Sequence, residues 1–81
     1  MTDLDFPLRG DFIPLDSLLK ATGFATSGAQ AKALVAEGGI QVDGQEELRK
    51  TAKIRAGQVV ALKEGGRTRR IRVIAGEAQP D

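Results

Sequence analysis

The 81-residue chain contains no cysteine, no histidine, no tryptophan and no tyrosine. Without cysteine there is neither a disulfide framework nor a thiolate metal site, and without histidine the usual zinc ligand and the usual general base are missing too. Stability has to come from packing alone. The sequence also lacks a carboxylate cluster and a phosphate-gripping glycine loop, so no catalytic constellation, no metal and no cofactor are expected. Asp16 and Asp43 remain as carboxylates, but each has a better structural use, in a helix first turn and in a hairpin turn. No stretch approaches the roughly 20 apolar residues of a membrane span, and the opening MTDLDFPL is acidic where a signal peptide is basic. The expected location is the cytoplasm. A chain of this length makes one domain and buries a modest fraction of its surface, leaving little material for a deep small-molecule pocket. The expected state is a monomer.

What the chain does have is charge, and its signs are segregated. The net charge is +1. Over residues 1–19, Asp3, Asp5, Asp11 and Asp16 against Arg9 leave −3. Residues 20–72 carry five lysines and six arginines against Glu37, Asp43, Glu46, Glu47 and Glu64, leaving +6, and Glu77 and Asp81 then add −2. A basic middle between acidic ends fits either a soluble surface or an electrostatic footprint for nucleic acid, and the placement of the cations has to decide.

Residues 1–12 hold Pro7, Gly10 and scattered acids, and read as an irregular arm that Phe6 and Phe12 pin to the core. Pro14 suits a first helical position and Asp16 the first turn, after which Leu15, Leu18, Leu19 and Thr22 share one face of a helix of about two turns. Gly23 is its stop. A second helix runs from Ser27 to about Glu37, with Ala31, Leu34 and Val35 inward, Lys32 on the flank and Ala29, Ala33 and Ala36 outward. Its start has the spacing of a capping box: the Ser27 side chain accepts from an amide of the first turn and Gln30 reaches back to the Ser27 amide. Gly38 and Gly39 end it. Ile40 to Val42 is a strand, Asp43-Gly44 a two-residue hairpin signal, and Gln45 to Leu48 the returning strand. Beyond the basic stretch RKTAKIR (49–55) and a turn at Ala56-Gly57, QVVALK and RTRRIRVIA form a second hairpin around Glu64-Gly65-Gly66. Ile71 and Val73 take one face and Arg70 and Arg72 the other. The domain therefore spans residues 13–75, between the arm at 1–12 and a flexible tail at 76–81.

In this order the pieces resemble the S-four domain, the alpha-L RNA-binding motif named after the fourth small-subunit ribosomal protein. Its first half is met by Leu15, Asp16, Leu19, Gly23, Ser27, Ala31 and Lys32. Its second half is met by Gly39-Ile40-Gln41-Val42-Asp43-Gly44 and by Ile54-Arg55-Ala56-Gly57-Gln58. Within the family the chain is most similar to the small stand-alone YbcJ-like bacterial proteins, through Ser27–Lys32, Val42–Gly44 and the pair Arg49-Lys50. The resemblance implies an α+β fold, two short packed helices against a small, mostly antiparallel sheet. It also implies that RNA, with ribosomal RNA among the candidates, binds on the second helix and the loop after the hairpin. Pro14 stands where a basic residue often precedes the Leu-Asp pair, and Gly28 where an arginine often follows the serine, so part of the usual phosphate contact is missing.

The candidate RNA contacts are Lys32, Arg49, Lys50 and Lys53, with Arg55 extending them and Ser27 and Gln30 as polar support. Arg49 leads, because a guanidinium grips a phosphate through two parallel hydrogen bonds where lysine acts as a point charge. Packing of the second helix beside the hairpin is expected to bring Lys32 near the basic stretch. Arg67, Arg69, Arg70 and Arg72 are secondary, since an arginine-rich final strand also protects a sheet edge. With only Phe6, Phe12 and Phe24, all near apolar segments, the chain offers no exposed stacking platform, which favours structured RNA over single strands. The competing reading is a protein-interaction adaptor, whose basic loops bind acidic partners or whose exposed strand adds to a partner's sheet.

Overall fold

The computed structural model describes residues 3–76. Two helices and two small sheets share one core, in the order β1 (Asp3–Leu8), β2 (Ile13–Pro14), α1 (Leu15–Ala21), α2 (Gly28–Ala36), β3 (Ile40–Val42), β4 (Gln45–Glu46), β5 (Lys53–Ile54), β6 (Val59–Glu64) and β7 (Arg67–Ala75). The main sheet has strand order β1-β7-β6-β3-β4, and β2 and β5 form a separate antiparallel pair. Among the described residues only the β1/β7 pair is parallel. This is the expected α+β class, two helices with a mostly antiparallel sheet.

The helices follow their sequence signals closely. Leu15, Leu18 and Leu19 of α1 are fully buried, as the helical spacing requires. Pro14 lies one position outside α1, with extended backbone, so it precedes the first helical position instead of occupying it. The α1 start is completed by the loop that follows the first hairpin: Leu15 N donates to Ala52 O and Asp16 N to Lys50 O, both at 2.9 Å. At its end Thr22 Oγ1 donates to Leu18 O at 2.9 Å and Gly23 turns the chain at φ 83°. On α2, Ala31 and Val35 are buried, Leu34 packs against the core, and Ala29, Ala33 and Ala36 face solvent.

Both hairpins are two-residue turns. Val42 pairs with Gln45 across Asp43 and Gly44, whose φ values of 53° and 86° suit the type I′ geometry that matches strand twist. Asp43 fits this position because its side chain is held: Oδ1 accepts from Val59 N at 3.0 Å and Oδ2 from Gln58 Nε2 at 3.2 Å. Gly65 and Gly66 make the second turn in the same way, between Glu64 and Arg67. The returning strand of the first hairpin is shorter than expected: only Gln45 and Glu46 pair, and Leu48 is exposed. The bond from Glu47 N to Ile40 O closes the ladder and releases the chain into the basic loop.

Two expectations are corrected. Residues 3–8, read as part of an irregular arm at 1–12, form strand β1, paired in register from Asp3↔Arg70 to Leu8↔Ala75. The alternation Leu4, Phe6, Leu8 carried that signal. Pro7 obscured it, yet proline is tolerated on an edge strand, and β1 is an edge. In consequence β7 lies inside the sheet, so its arginines do not guard an edge. The domain thus includes residues assigned to the arm, and residues 77–81 of the expected tail lie outside the described residues. The core joins Leu8 with Leu15, Leu18, Leu19, Phe24, Val35, Ile40, Ile54, Leu62 and Ile71, and among the described residues no polar or charged side chain is buried.

Candidate nucleic-acid interface

Arg49, Thr51, Ala52 and Lys53 line one open cavity of about 340 Å³. The loop that carries them is fixed by its backbone: besides the two bonds from α1, Ala52 N donates to Arg49 O at 3.2 Å, and Lys53 enters the two-stranded pair opposite Pro14. Arg49 and Lys53, four residues apart, are thereby brought to one surface. The Arg49 side chain is 81% exposed, with Glu47 as its neighbour: Nε lies 3.4 Å from Glu47 Oε2, which also accepts from Arg49 N at 3.0 Å. The Glu47 side chain is only 22% exposed, but with the guanidinium in solvent and a single contact at 3.4 Å the pair is weak, worth about 1 kcal/mol or less. Lys50 is exposed, and its carbonyl is the α1 cap.

Lys53 extends over the Phe12 ring, with Nζ 5.0 Å from its centroid. Phe12 is 39% exposed, so it is not the core anchor expected of it, whereas Phe6 packs on the core and Phe24 is buried. An exposed aromatic face beside cations is a feature that the sequence reading denied. The alternation of β2 against β5 would have found it, but two-residue strands give no readable period.

Of the remaining candidates, Arg55 directly follows β5 and alternates with the buried Ile54, so it shares the outward side with Lys53, whereas Lys32 and Gln30 are carried by α2 and Ser27 by its N-cap. Lys32 is exposed on α2. The main-chain bonds that hold the loop run to the start of α1. Ser27 and Gln30 serve the helix start: Ser27 Oγ accepts from Gln30 N at 3.1 Å, while Gln30 Oε1 accepts from Thr26 N at 2.6 Å and from Thr26 Oγ1 at 2.8 Å. The cap is present, but its return bond reaches Thr26 and not the Ser27 amide, one residue further back than the capping box requires. Arg55 is exposed, with its amide donating to Gln58 Oε1 at 2.7 Å.

The arginines of β7 divide three ways. Arg69 is half-buried with its guanidinium 4.1 Å from the Phe24 ring centroid. Arg70 and Arg72 point to the opposite face, where Nη1 of the first lies 3.5 Å from Asp3 and Nε of the second 2.8 Å from Asp5. Arg67 is exposed near the second hairpin. The acidic N-terminal segment thus lies against the most basic strand, and the free positive charge shifts toward the 49–55 region.

Comparison with known proteins agrees with this architecture. The S4 domain family model matches residues 6–73. The chain belongs to the S4 domain family. It is 53% identical over 50 residues to YbcJ of Escherichia coli (strain K12), a match covering 62% of this chain and 71% of that protein. It is 40% identical over 55 residues to the small ribosomal subunit protein uS4 of Chloroflexus aurantiacus (strain ATCC 29366 / DSM 635 / J-10-fl), covering 68% of this chain and 27% of that one. The solution structure of E. coli YbcJ, described as revealing an alpha-L motif involved in RNA-binding, superposes with a TM-score of 0.57 at 39% identity. It covers 89% of this chain and 87% of YbcJ. In this S4 domain the start of α1 and the loop after the first hairpin are locked together by main-chain bonds, so the loop's cations sit on a rigid base.

Proposed function

We propose that this S4 domain is a non-catalytic RNA-binding module that grips the phosphates of structured RNA, ribosomal RNA included, with Arg49, Lys50 and Lys53. Arg55 extends that patch from the end of β5, and Lys32 adds the charge of α2. The observation that carries the reading is the cavity where Arg49 and Lys53 meet, on a loop whose backbone is held by α1. Preorganised cations lose little side-chain and loop freedom when a phosphate arrives, and the likeness to YbcJ and uS4 supports RNA as the polyanion. No helix among the described residues is long and apolar enough to cross a membrane, and the module is read as acting in the cytoplasm as a monomer.

Ser27 and Gln30 use their oxygens as acceptors at the helix start, which leaves the Ser27 O–H and the Gln30 NH2 as donors for the polar support of that contact set. Arg49→Glu tests the reading. In a salt titration against a folded ribosomal RNA fragment, the variant is expected to bind about tenfold or more weakly, with a slope of log affinity on log salt reduced by about 1–2. Unchanged affinity and slope would remove the loop from the interface.

A further inference from the structure

The short β2/β5 pair has one face in the core and one in solvent. Ile54 is buried and Ile13 packs against the core, so the strand alternation turns Phe12, Pro14, Lys53 and Arg55 the other way. The outward face therefore combines an aromatic ring, a proline and two cations. Arg9 joins from the other side, since it lines with Phe6, Pro7, Leu8, Phe12 and Ile13 a second open cavity of about 380 Å³. Phe12 stands between this apolar hollow and the neighbouring cavity of Arg49 and Lys53.

The charges around the ring fix its partner. Among the described residues Arg9, Lys53 and Arg55 have no ion pair, and Arg49 has the single 3.4 Å contact with Glu47. Asp11 and Asp16 are the nearest acids in sequence, and the Asp16 carboxylate accepts from Ser17 N at 2.8 Å. A part-exposed aromatic ring with Lys53 over it and the unpaired Arg9 and Arg55 on the adjoining segments matches a ligand with a flat π face and adjoining negative charge. A nucleotide has both.

We propose that the β2/β5 pair is a stacking platform for one unpaired nucleotide of a structured RNA: the base lies on Phe12, and Arg49, Lys53 and Arg55 hold the phosphates on either side. This rests on the RNA-binding reading above and adds a preference to it. Phosphate contacts alone treat a paired and a bulged helix alike, whereas a stacked base rewards the RNA that can supply one. Lys53 sits over one side of the ring, so the base takes the side that opens to the hollow lined by Arg9 and Ile13, or displaces the Lys53 ammonium, which then turns to the phosphate.

The test compares two short RNA hairpins that differ only by a single bulged adenosine, using the full chain. The native protein is expected to favour the bulged hairpin by about tenfold, the scale of one base stacked on an aromatic side chain. Phe12→Leu is expected to abolish that preference, read as the ratio of the two affinities, while the salt slope for each hairpin is retained because no cation is removed. Phe12→Trp is expected to retain the preference, and, since the chain has no other tryptophan, its fluorescence should be quenched by the bulged hairpin and not by the paired one. Equal binding of both hairpins by the native protein, or a preference that survives Phe12→Leu, would overturn the platform while leaving the phosphate-binding patch standing. Failure to bind either hairpin would overturn both. Poly-glutamate binding that falls with Phe12→Leu as much as bulged RNA does would assign the surface to acidic proteins instead.

Discussion

Arg72 Nε donates to Asp5 Oδ1 at 2.8 Å across the parallel pairing of the first and last strands, and Arg70 repeats the arrangement with Asp3 at 3.5 Å. Residues 67 positions apart in sequence thus neutralise each other on the open face of the sheet. All four side chains are about half exposed.

Replacing both Asp3 and Asp5 by asparagine should therefore cost little stability, below about 1 kcal/mol per pair, while freeing Arg70 and Arg72. The expected result is a melting temperature lowered by a few degrees, together with tighter low-salt binding to any RNA and a steeper salt slope. Calorimetry and a salt titration on the same double variant check both parts.

The Ser27 cap predicts a larger and purely structural effect. Its hydroxyl oxygen satisfies the Gln30 amide, so Ser27→Ala should destabilise the domain by about 1 kcal/mol, which is roughly 4–8 °C for a domain of this size. Ser27→Asp retains an acceptor and should keep most of the stability. Thermal unfolding followed by circular dichroism separates the two.

Asp43 holds the first hairpin to the following strand. Asp43→Ala removes the acceptor of Val59 N and leaves a β-carbon at φ 53°, and should cost about 1–3 kcal/mol. Asp43→Asn supplies a carbonyl oxygen in place of the carboxylate and tolerates the left-handed backbone, so it should lose much less. Denaturant midpoints of the two variants give the comparison.

Gly76 closes the β1/β7 pairing. Its amide donates to Leu8 O at 3.0 Å, and a β-carbon there would stand 2.7 Å from the Pro7 carbonyl carbon and 2.9 Å from Leu8 N. The strands must separate to admit it, so Gly76→Ala should cost about 1–3 kcal/mol. Hydrogen exchange should quicken at the β1 amides well before it changes at those of β3.

Much of the fold was legible because its signals are local. The serine cap, the leucine spacing of α1, the Asp-Gly and Gly-Gly turns and the alternation of Ile71 and Val73 each concern residues a few positions apart, whose geometry the backbone fixes directly. Strand β1 was not, since Pro7 interrupts an alternation of only three apolar residues and the partner strand is at the other end of the chain. The site divided the same way. Arg49 and Lys53 were identifiable as neighbours in a basic stretch, but Arg69 resting on Phe24 and Phe12 emerging beside Lys53 depend on packing that no local pattern carries.

By itself, then, the sequence determined the S4 domain pattern, the two helices, both hairpin turns and a basic stretch bearing Arg49, Lys50 and Lys53. Only the tertiary structure decided which of the cations are free. The N-terminal strand laid Asp3 and Asp5 against Arg70 and Arg72, Arg69 settled on Phe24, and the main-chain bonds from Leu15 and Asp16 fixed the loop of Arg49 beside an exposed Phe12. The physical reason is one of range: backbone geometry and hydrophobic period act over a few residues, whereas charge pairing and aromatic exposure are set by which distant segments share a face of the sheet.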